Sequence, residues 1–419
     1  MRIQDWRNEI SKYFPEFVLP AEIGLSVFCQ LLIEDITNPF GLVYVDVPSS
    51  GKTITLNLLD GIKELVYSTD SFSPASFVSH AANVKAKDLE KIDLLPKIQH
   101  KVLIVRDLAP IFGQRDDEIL KTMGILTRVF DGEGYESDGG CHGKRGYKGD
   151  YVFMFLAAST PLRPKAWNIM GNFGARLFFY HLNSSDKTVQ VLADQLSSEF
   201  SPKQKEDICK VTTTKLLSEL WNRNDGIFWN KQADDRNLLE EIVQIAQMVA
   251  SLRGTINVWK ESLGDETFNH TEPMIEKPDR INQCLYNLAR GHAVACGRTS
   301  LDDSDVAIVL KVALSSAALE RTKLLNKLST SDGVLTTELI IHDMEWSRPT
   351  ALKYMEILRI LKIVDEIPNT NLAIGRSEKV IRLTEKFSWL ISKRFKYLLT
   401  FTETDLLNQS INKENLTWS

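Results

Sequence analysis

Residues Gly41 to Leu59 read GLVYVDVPSSGKTITLNLL, and the fold follows from how this stretch is read. Leu42, Val43, Tyr44 and Val45 make a short apolar run of the length expected for a buried strand. A turn follows, and Gly51-Lys52-Thr53 opens a helix. Strand, turn and helix in this order are the layout of a phosphate-binding loop. Backbone N–H groups and the helix N-terminus face a polyphosphate, a lysine reaches the outer phosphates, and a threonine hydroxyl ligates Mg²⁺. The candidate nucleotide-binding residues are therefore Val47, Pro48, Ser49, Ser50, Gly51, Lys52, Thr53 and Ile54. Lys52 also serves as a catalytic candidate and Thr53 as a metal candidate. The full pattern opens with a glycine, and Asp46 stands at that position. Gly51, where backbone must approach a phosphate most closely, is retained. Pro48 fixes its own φ and stiffens the turn.

The second apolar run, Val102 to Val105 in KVLIVRDLAP, has the character of a buried parallel strand with Asp107 at its end. Ligands of α/β sheets sit off the carboxyl ends of strands, so Asp107 is expected beside the phosphates. The acid pair usual at such a strand is incomplete, since the residues run Arg106-Asp107-Leu108. Asp107 fits either the magnesium position or the catalytic-acid position. A third strand, Tyr151 to Ala158, ends at Ser159-Thr160, and Thr160 is placed to read a γ-phosphate or an attacking water. In GNFGARLFFYHL, Arg176 lies between glycines and an apolar strand, where it is placed to reach a neighbouring subunit's nucleotide. Arg280, in the first turn of a helix opened by Pro278, is expected to fold back toward a nucleotide.

Between helix 114–130 and the third strand lies ESDGGCHGKRGYKGD, residues 136–150, which reads as a glycine-rich hairpin. Lys144, Arg145 and Lys148, with Tyr147 among them, suit contact with a nucleic-acid backbone. Glu136, Asp138 and Asp150 cancel that charge, so a solvated loop is the competing reading. Residues 191–328 read as helical throughout, with Cys284, Leu285, Leu288 and His292 as packing positions and one last apolar helix from Val306 to Leu328. Residues 329–384 give two short helices and two strands, a helix–turn–helix with a wing. Its second helix is expected to turn Arg348, Thr350, Lys353 and Tyr354 toward a major groove. The first 40 residues read as a helical cap, and 385–419 as an aromatic-rich helix and a polar tail.

The 419 residues allow two or three domains. A net charge of −5 argues against a generally basic nucleic-acid binder and leaves only local patches for such contacts. Five cysteines without CxxC spacing point to reduced thiols and away from structural zinc. The sequence shows no secretory leader and no apolar run approaching the ~20 residues that cross a bilayer. A cytoplasmic protein without membrane contact is the resulting expectation.

Taken in order, these pieces resemble an AAA+ ATPase. VDVPSSGKT is similar to its Walker A loop, VLIVRD to its Walker B strand, and LAAST to the end of its sensor 1 strand. GARLFFYHL resembles the arginine-finger segment, and Arg280 resembles the sensor 2 arginine. The glycine-rich insertion before the sensor 1 strand resembles the hairpin of the minichromosome-maintenance branch, which lines a pore and grips DNA. NLARGHAVACGRTSLDDSDVAIVL is similar to that branch's lid. The resemblance implies an α/β AAA+ core over 41–190, a helical lid over 191–328 and a winged helix over 329–384. It also implies ATP and Mg²⁺ as ligands, single- or double-stranded DNA as partner, and a homo-oligomer, a hexamer being the form that branch suggests. The missing loop glycine, the incomplete acid pair and the absence of an asparagine at sensor 1 depart from the family. So does the absence of a long N-terminal DNA-binding domain. The leading expectation is a DNA-stimulated motor of the helicase type. The alternatives are an ATP-gated initiator with slow or no hydrolysis, and a regulatory ATPase whose winged helix contacts protein.

Overall fold

The computed structural model describes residues 1–79, 86–139, 143–171, 173–184, 186–224, 226–260, 267–368 and 378–401. Its organising element is a five-stranded parallel sheet, so the chain is an α/β protein. The chain-order strands are β1 (Phe40–Val45), β2 (Val66–Thr69) and β3 (Val102–Val105), then a hairpin of β4 (Gly134–Gly139) and β5 (Gly143–Lys148), then β6 (Met154–Ser159) and β7 (Leu177–His181). The sheet runs β2-β3-β6-β1-β7. Thus β6 is the middle strand, and β1 is an interior strand beside it, with β6 lying between β1 and the strand that leads to Asp107. Strands buried on both faces need apolar residues at every position, which is why β1, β3 and β6 are uninterrupted apolar runs.

Alternate side chains of each strand enter two cores. Leu42 and Tyr44 join a large core with the amino-terminal helix Val18–Cys29, the loop-following helix Lys52–Leu59 and the helices beyond residue 202. Val43 and Val45 join a smaller core with helices Leu94–Ile98, Asp116–Val129 and Pro164–Gly171. All twelve residues of Val18–Cys29 are buried, because this helix lies between the sheet and helix Asp279–Ala295. Gly291 permits the close approach, since a Cβ there would stand 2.0 Å from the Ser26 carbonyl oxygen.

Several expectations change. The stretch Pro15–Leu32 is an 18-residue apolar helical run, although no such run was expected; 83% of it is buried inside the protein, and it reads as a core element. The helix opened by Gly51-Lys52-Thr53 stops at Leu59, and the edge strand β2 begins at Val66. The expected single helix from Val306 to Leu328 is two, Asp303–Ser315 and Leu319–Thr330. Ser316 makes the break: its hydroxyl donates to the Val312 carbonyl (2.6 Å) and accepts the Phe179 N–H (2.9 Å), tying the helix end to β7. The carboxy-terminal helix is likewise split into a 3₁₀ segment, Glu385–Ile391, and helix Lys393–Thr400.

Residues 334–383 form two helices, Thr337–Met344 and Arg348–Ile360, beside a three-stranded antiparallel sheet of Val334–Thr336, Val380–Leu383 and Val364–Ile367. Pro368 is described, but Asn369, Thr370 and Asn371, read as the turn between the last two strands, lie outside the described residues. This unit packs on the rest of the protein through Leu361, which meets Gly254, and through helix Leu319–Thr330.

Candidate functional site

The loop from Asp46 to Lys52 sits at the carboxyl end of the interior strand β1, where α/β sheets place their ligands. Two residues turn it into the helix. Ser49 has φ +67°, and Gly51, the N-cap of Lys52–Leu59, has φ +93°. Gly51 is required twice over, because a Cβ there would also stand 1.9 Å from the Phe17 ring. Gly51→Ala is expected to destabilise the fold by about 1–3 kcal/mol and to weaken nucleotide binding with it. Urea denaturation with fluorescence detection measures the first effect, and an unchanged midpoint would refute the local reading.

Lys52 curls back over the loop. Its ammonium donates to the carbonyls of Asp46 (2.8 Å) and Val47 (2.6 Å) and to the Ser50 hydroxyl (3.2 Å). Burial lowers its pKa, and the nearby carboxylates of Asp46 and Asp107 act in the opposite direction. Asp46, standing where glycine was expected, ties the loop down. Its carboxylate accepts the Val47 N–H (2.7 Å) and both the N–H (2.9 Å) and hydroxyl (2.7 Å) of Ser184, just past β7. Sequence reasoning saw only the missing glycine. Thr53 is exposed, as are Val47, Pro48 and Ser49, whereas Ser50 is buried and Ile54 half-buried.

Asp107 is exposed at the end of β3, one oxygen accepting the Ala109 N–H (2.8 Å). With Thr53 it offers hard oxygen donors of the kind Mg²⁺ takes, so the residues present fit that ion. Arg106, occupying the second acid's place, reaches Asp60 (3.4 Å) and Asp70 (3.3 Å) instead. Thr160 is half-buried past β6, between the strand of Asp107 and the loop. The Ser159 hydroxyl donates to the Thr160 carbonyl (2.9 Å).

Arg176 and Arg280 converge elsewhere. Arg176 Nη2 and Arg280 Nη1 both donate to Asp131 Oδ1 at 3.0 Å, while Arg128 holds Oδ2 at 2.9 Å. Arg280 also donates to the Phe130 carbonyl (2.7 Å), and Arg176 to that of Phe173 (2.5 Å). Three guanidiniums thus share one carboxylate, and the next acid, Glu276, accepts the Ala175 N–H (3.2 Å). This cluster lies at the amino end of β7, whose Leu177 pairs with Gly41. The phosphate loop is at the other end of β1, roughly 15 Å away at the rise of a strand. Arg280 therefore does not fold back on its own chain's loop, contrary to expectation. The shared partner, Asp131, lies just past helix Asp116–Val129 and was not among the residues singled out in the sequence.

The hairpin of β4 and β5 forms, with Glu136 opposite Gly146 and Tyr135 opposite Tyr147. Lys144 and Lys148 flank Glu136 at 2.9 and 3.2 Å on the exposed face, and this pairing lowers the Glu136 pKa. Arg145 points to the other side of the ribbon, as strand alternation requires. Tyr147 is not a tip aromatic: its hydroxyl donates to Asp93 (2.8 Å) and its ring packs near Tyr151, pinning the hairpin to the core. Residues 140–142, including Cys141, lie outside the described residues.

In helix Arg348–Ile360, Ser347 is the N-cap, accepting the Thr350 N–H (3.4 Å). Arg348 and Thr350 are half-buried in the first turn, and Lys353 is exposed. Tyr354 departs from the expected groove-facing position. It is half-buried against Trp346 (5.1 Å between ring centroids), and both Tyr354 and Lys353 line a cavity facing the parallel-sheet unit.

His292 is a buried ion-pair hub. Nε2 meets Glu22 (2.8 Å) and Nδ1 meets Asp305 (2.5 Å), while Arg7 binds Glu22 and Arg298 grips Asp305 through two bonds of 2.8 Å. Cys296 completes a group of ligand-type atoms with Glu22 and His292. The guanidiniums of Arg7 and Arg298 already neutralise these carboxylates, which leaves no net negative charge to hold a cation. Cys29, Cys209, Cys284 and Cys296 are free thiols. Compared with known proteins, the chain matches no family model and no curated protein sequence.

Proposed function

We propose that this protein is an AAA+ ATPase that binds MgATP at residues 47–54 and acts on DNA as an oligomeric motor. The observation that carries this reading is the loop itself: a left-handed glycine and a part-buried lysine, without an ion pair among the described residues, at the carboxyl end of the interior strand β1. Thr53 and Asp107 would hold the metal, which supplies charge neutralisation at the phosphates. Lys52 binds and orients the outer phosphates, and Thr160 faces the same edge of the sheet. Arg176 and Arg280 stand at the opposite edge, which suits donation to a neighbouring protomer's nucleotide rather than to their own. The hairpin and the winged helix at 329–384 would supply contacts to DNA phosphates.

The expected result is ATPase activity raised severalfold by DNA, with the increment removed in a Lys144→Glu, Lys148→Glu double variant whose basal rate is retained. Turnover equal with and without DNA across a range of salt would overturn the motor reading. The lone acid beside Arg106 favours a second reading, in which ATP is a slowly hydrolysed ligand that gates DNA or protein binding through the winged helix. ATP-dependent DNA binding by a chain with no measurable turnover would select that alternative.

A further inference from the structure

A cavity of about 500 Å³ lies behind the phosphate loop, between the start of that loop, the segment after β6, and the helices Leu319–Thr330 and Arg348–Ile360. Its volume is that of a small-molecule site. Two of its lining residues, Arg253 and Arg321, are each only 8% exposed. Neither makes an ion pair among the described residues. Arg253 donates to the carbonyls of Leu177 (3.0 Å) and Ser316 (3.4 Å), and Arg321 to those of Leu252 and Gly254 (both 2.7 Å). Carbonyls satisfy N–H groups, and the carboxylates that act on the two charges, Glu276 on Arg253 and Glu320 on Arg321, do so from outside salt-bridge contact, so the charges are only partly compensated. Burial accordingly lowers both pKa values, that of Arg321 to about 10. Incompletely neutralised buried charges are costly and call for a counter-ion.

Further donor atoms are spare. Among the described residues Arg253 Nε is buried without a partner, and so is Nε2 of His181, which also lines the cavity. Lys353 adds a third cation at the rim. The acids lining the space are Asp46, whose carboxylate is engaged by Ser184, and Glu320, so the cations are in excess. Leu162, Trp167, Ile256 and Ile357 give the remaining wall an apolar and aromatic character.

We infer that this cavity is a second ligand site, taking a small phosphate ester with a planar or apolar body. The phosphoryl group would be held by Arg253, Arg321 and Lys353, and the body by the Trp167 wall. Phosphate matches the donors because its several oxygens accept from guanidinium and ammonium groups together. An occupant would touch both Asp46, at the root of the loop, and the helix of Lys353, bridging two units of the chain. The inference does not depend on ATP binding at the loop.

Isothermal titration of the Lys52→Ala chain tests it, since that substitution weakens the loop site. Phenyl phosphate and adenosine monophosphate serve as probes, with ribose 5-phosphate for a body lacking a planar ring. The expectation is saturable binding of both ring-bearing probes below about 10 mM, at least fivefold tighter than ribose 5-phosphate. Adding Lys353→Glu, an exposed position that should leave melting unchanged, is expected to weaken the adenosine monophosphate affinity at least fivefold by reversing a rim charge. Arg321→Gln should do the same, with its melting temperature recorded alongside. Absence of saturable binding by either ring-bearing probe, or a Lys353→Glu effect smaller than fivefold, overturns the proposal.

Discussion

Replacing Glu22 with alanine is expected to cost about 3–5 kcal/mol, a large share of the ~5–15 kcal/mol by which a domain is held folded. Glu22 is fully buried between Arg7 and His292. Removing it takes from Arg7 its carboxylate and leaves His292 with Asp305 alone, a loss of buried charge compensation that repacking of methyl groups does not offset. An exposed pair gives the comparison. Arg236 and Glu240 are 83% and 57% exposed, and Glu240→Ala should change stability by less than ~0.5 kcal/mol. Urea midpoints for the two variants, measured side by side, make the test, and similar midpoints would refute the assignment of Glu22 as a core counter-ion.

The same cluster sets a pH profile. Burial would raise the pKa of Glu22, but Arg7 and His292 hold it at about 2, below its ordinary 4.5. Asp305 is likewise lowered, held down by His292 and Arg298 against burial. Burial would also drive His292 to the neutral form, yet Cys296, Asp305 and Glu22 raise its pKa well above the ordinary 6.5. A depressed carboxylate contributes stability above its unfolded value and loses it as pH falls through the folded one. A raised imidazole contributes fully below its unfolded value and loses that as pH rises. The cluster therefore contributes most between pH 4.5 and 6.5, with an acid limb toward pH 2 and a decline on the alkaline side. In His292→Ala the alkaline decline should disappear while an acid limb remains.

The second large effect is on turnover. Lys52→Ala is expected to lower ATP hydrolysis at least ~10²-fold, the size found when a single preorganised donor is removed from developing charge. Lys52→Arg should fail as well, because a planar fork cannot replace a compact ammonium in a loop this tight. Stability should move little, since the Val47 carbonyl is exposed and that of Asp46 only part-buried, so that water can replace the ammonium. A coupled ATPase assay and a melting curve on the same preparation separate the two. Retained turnover in a folded Lys52→Ala chain would remove the nucleotide reading of this loop.

Local periodicity made the strands β1, β3 and β6 legible in the sequence, because burial on both faces demands unbroken apolar runs. The turn into Lys52–Leu59 was legible for a similar reason: few residues other than glycine accept the backbone found at Gly51. What the sequence concealed depends on distant partners. Asp46 read as a defect because Ser184, to which it is tied, is 138 positions away. His292 read as packing because the acids that charge it come from two other helices. Tyr147 and Tyr354 read as nucleic-acid contacts because an aromatic beside basic residues has that appearance, whatever its ring is packed on. Edge strand β2, only four residues long and with Val66 alone fully buried, carried too weak a pattern to separate from a loop.

The Asp131 cluster has an electrostatic consequence. Detaching the guanidinium of Arg176 leaves Arg128 and Arg280 in place, and detaching Arg280 leaves the other two. Either arm can swing outward to an arriving anion without exposing a bare carboxylate behind it. The fold thereby keeps a reserve of positive charge at this edge, loanable at small cost, where a simple one-to-one pair would have to be broken outright.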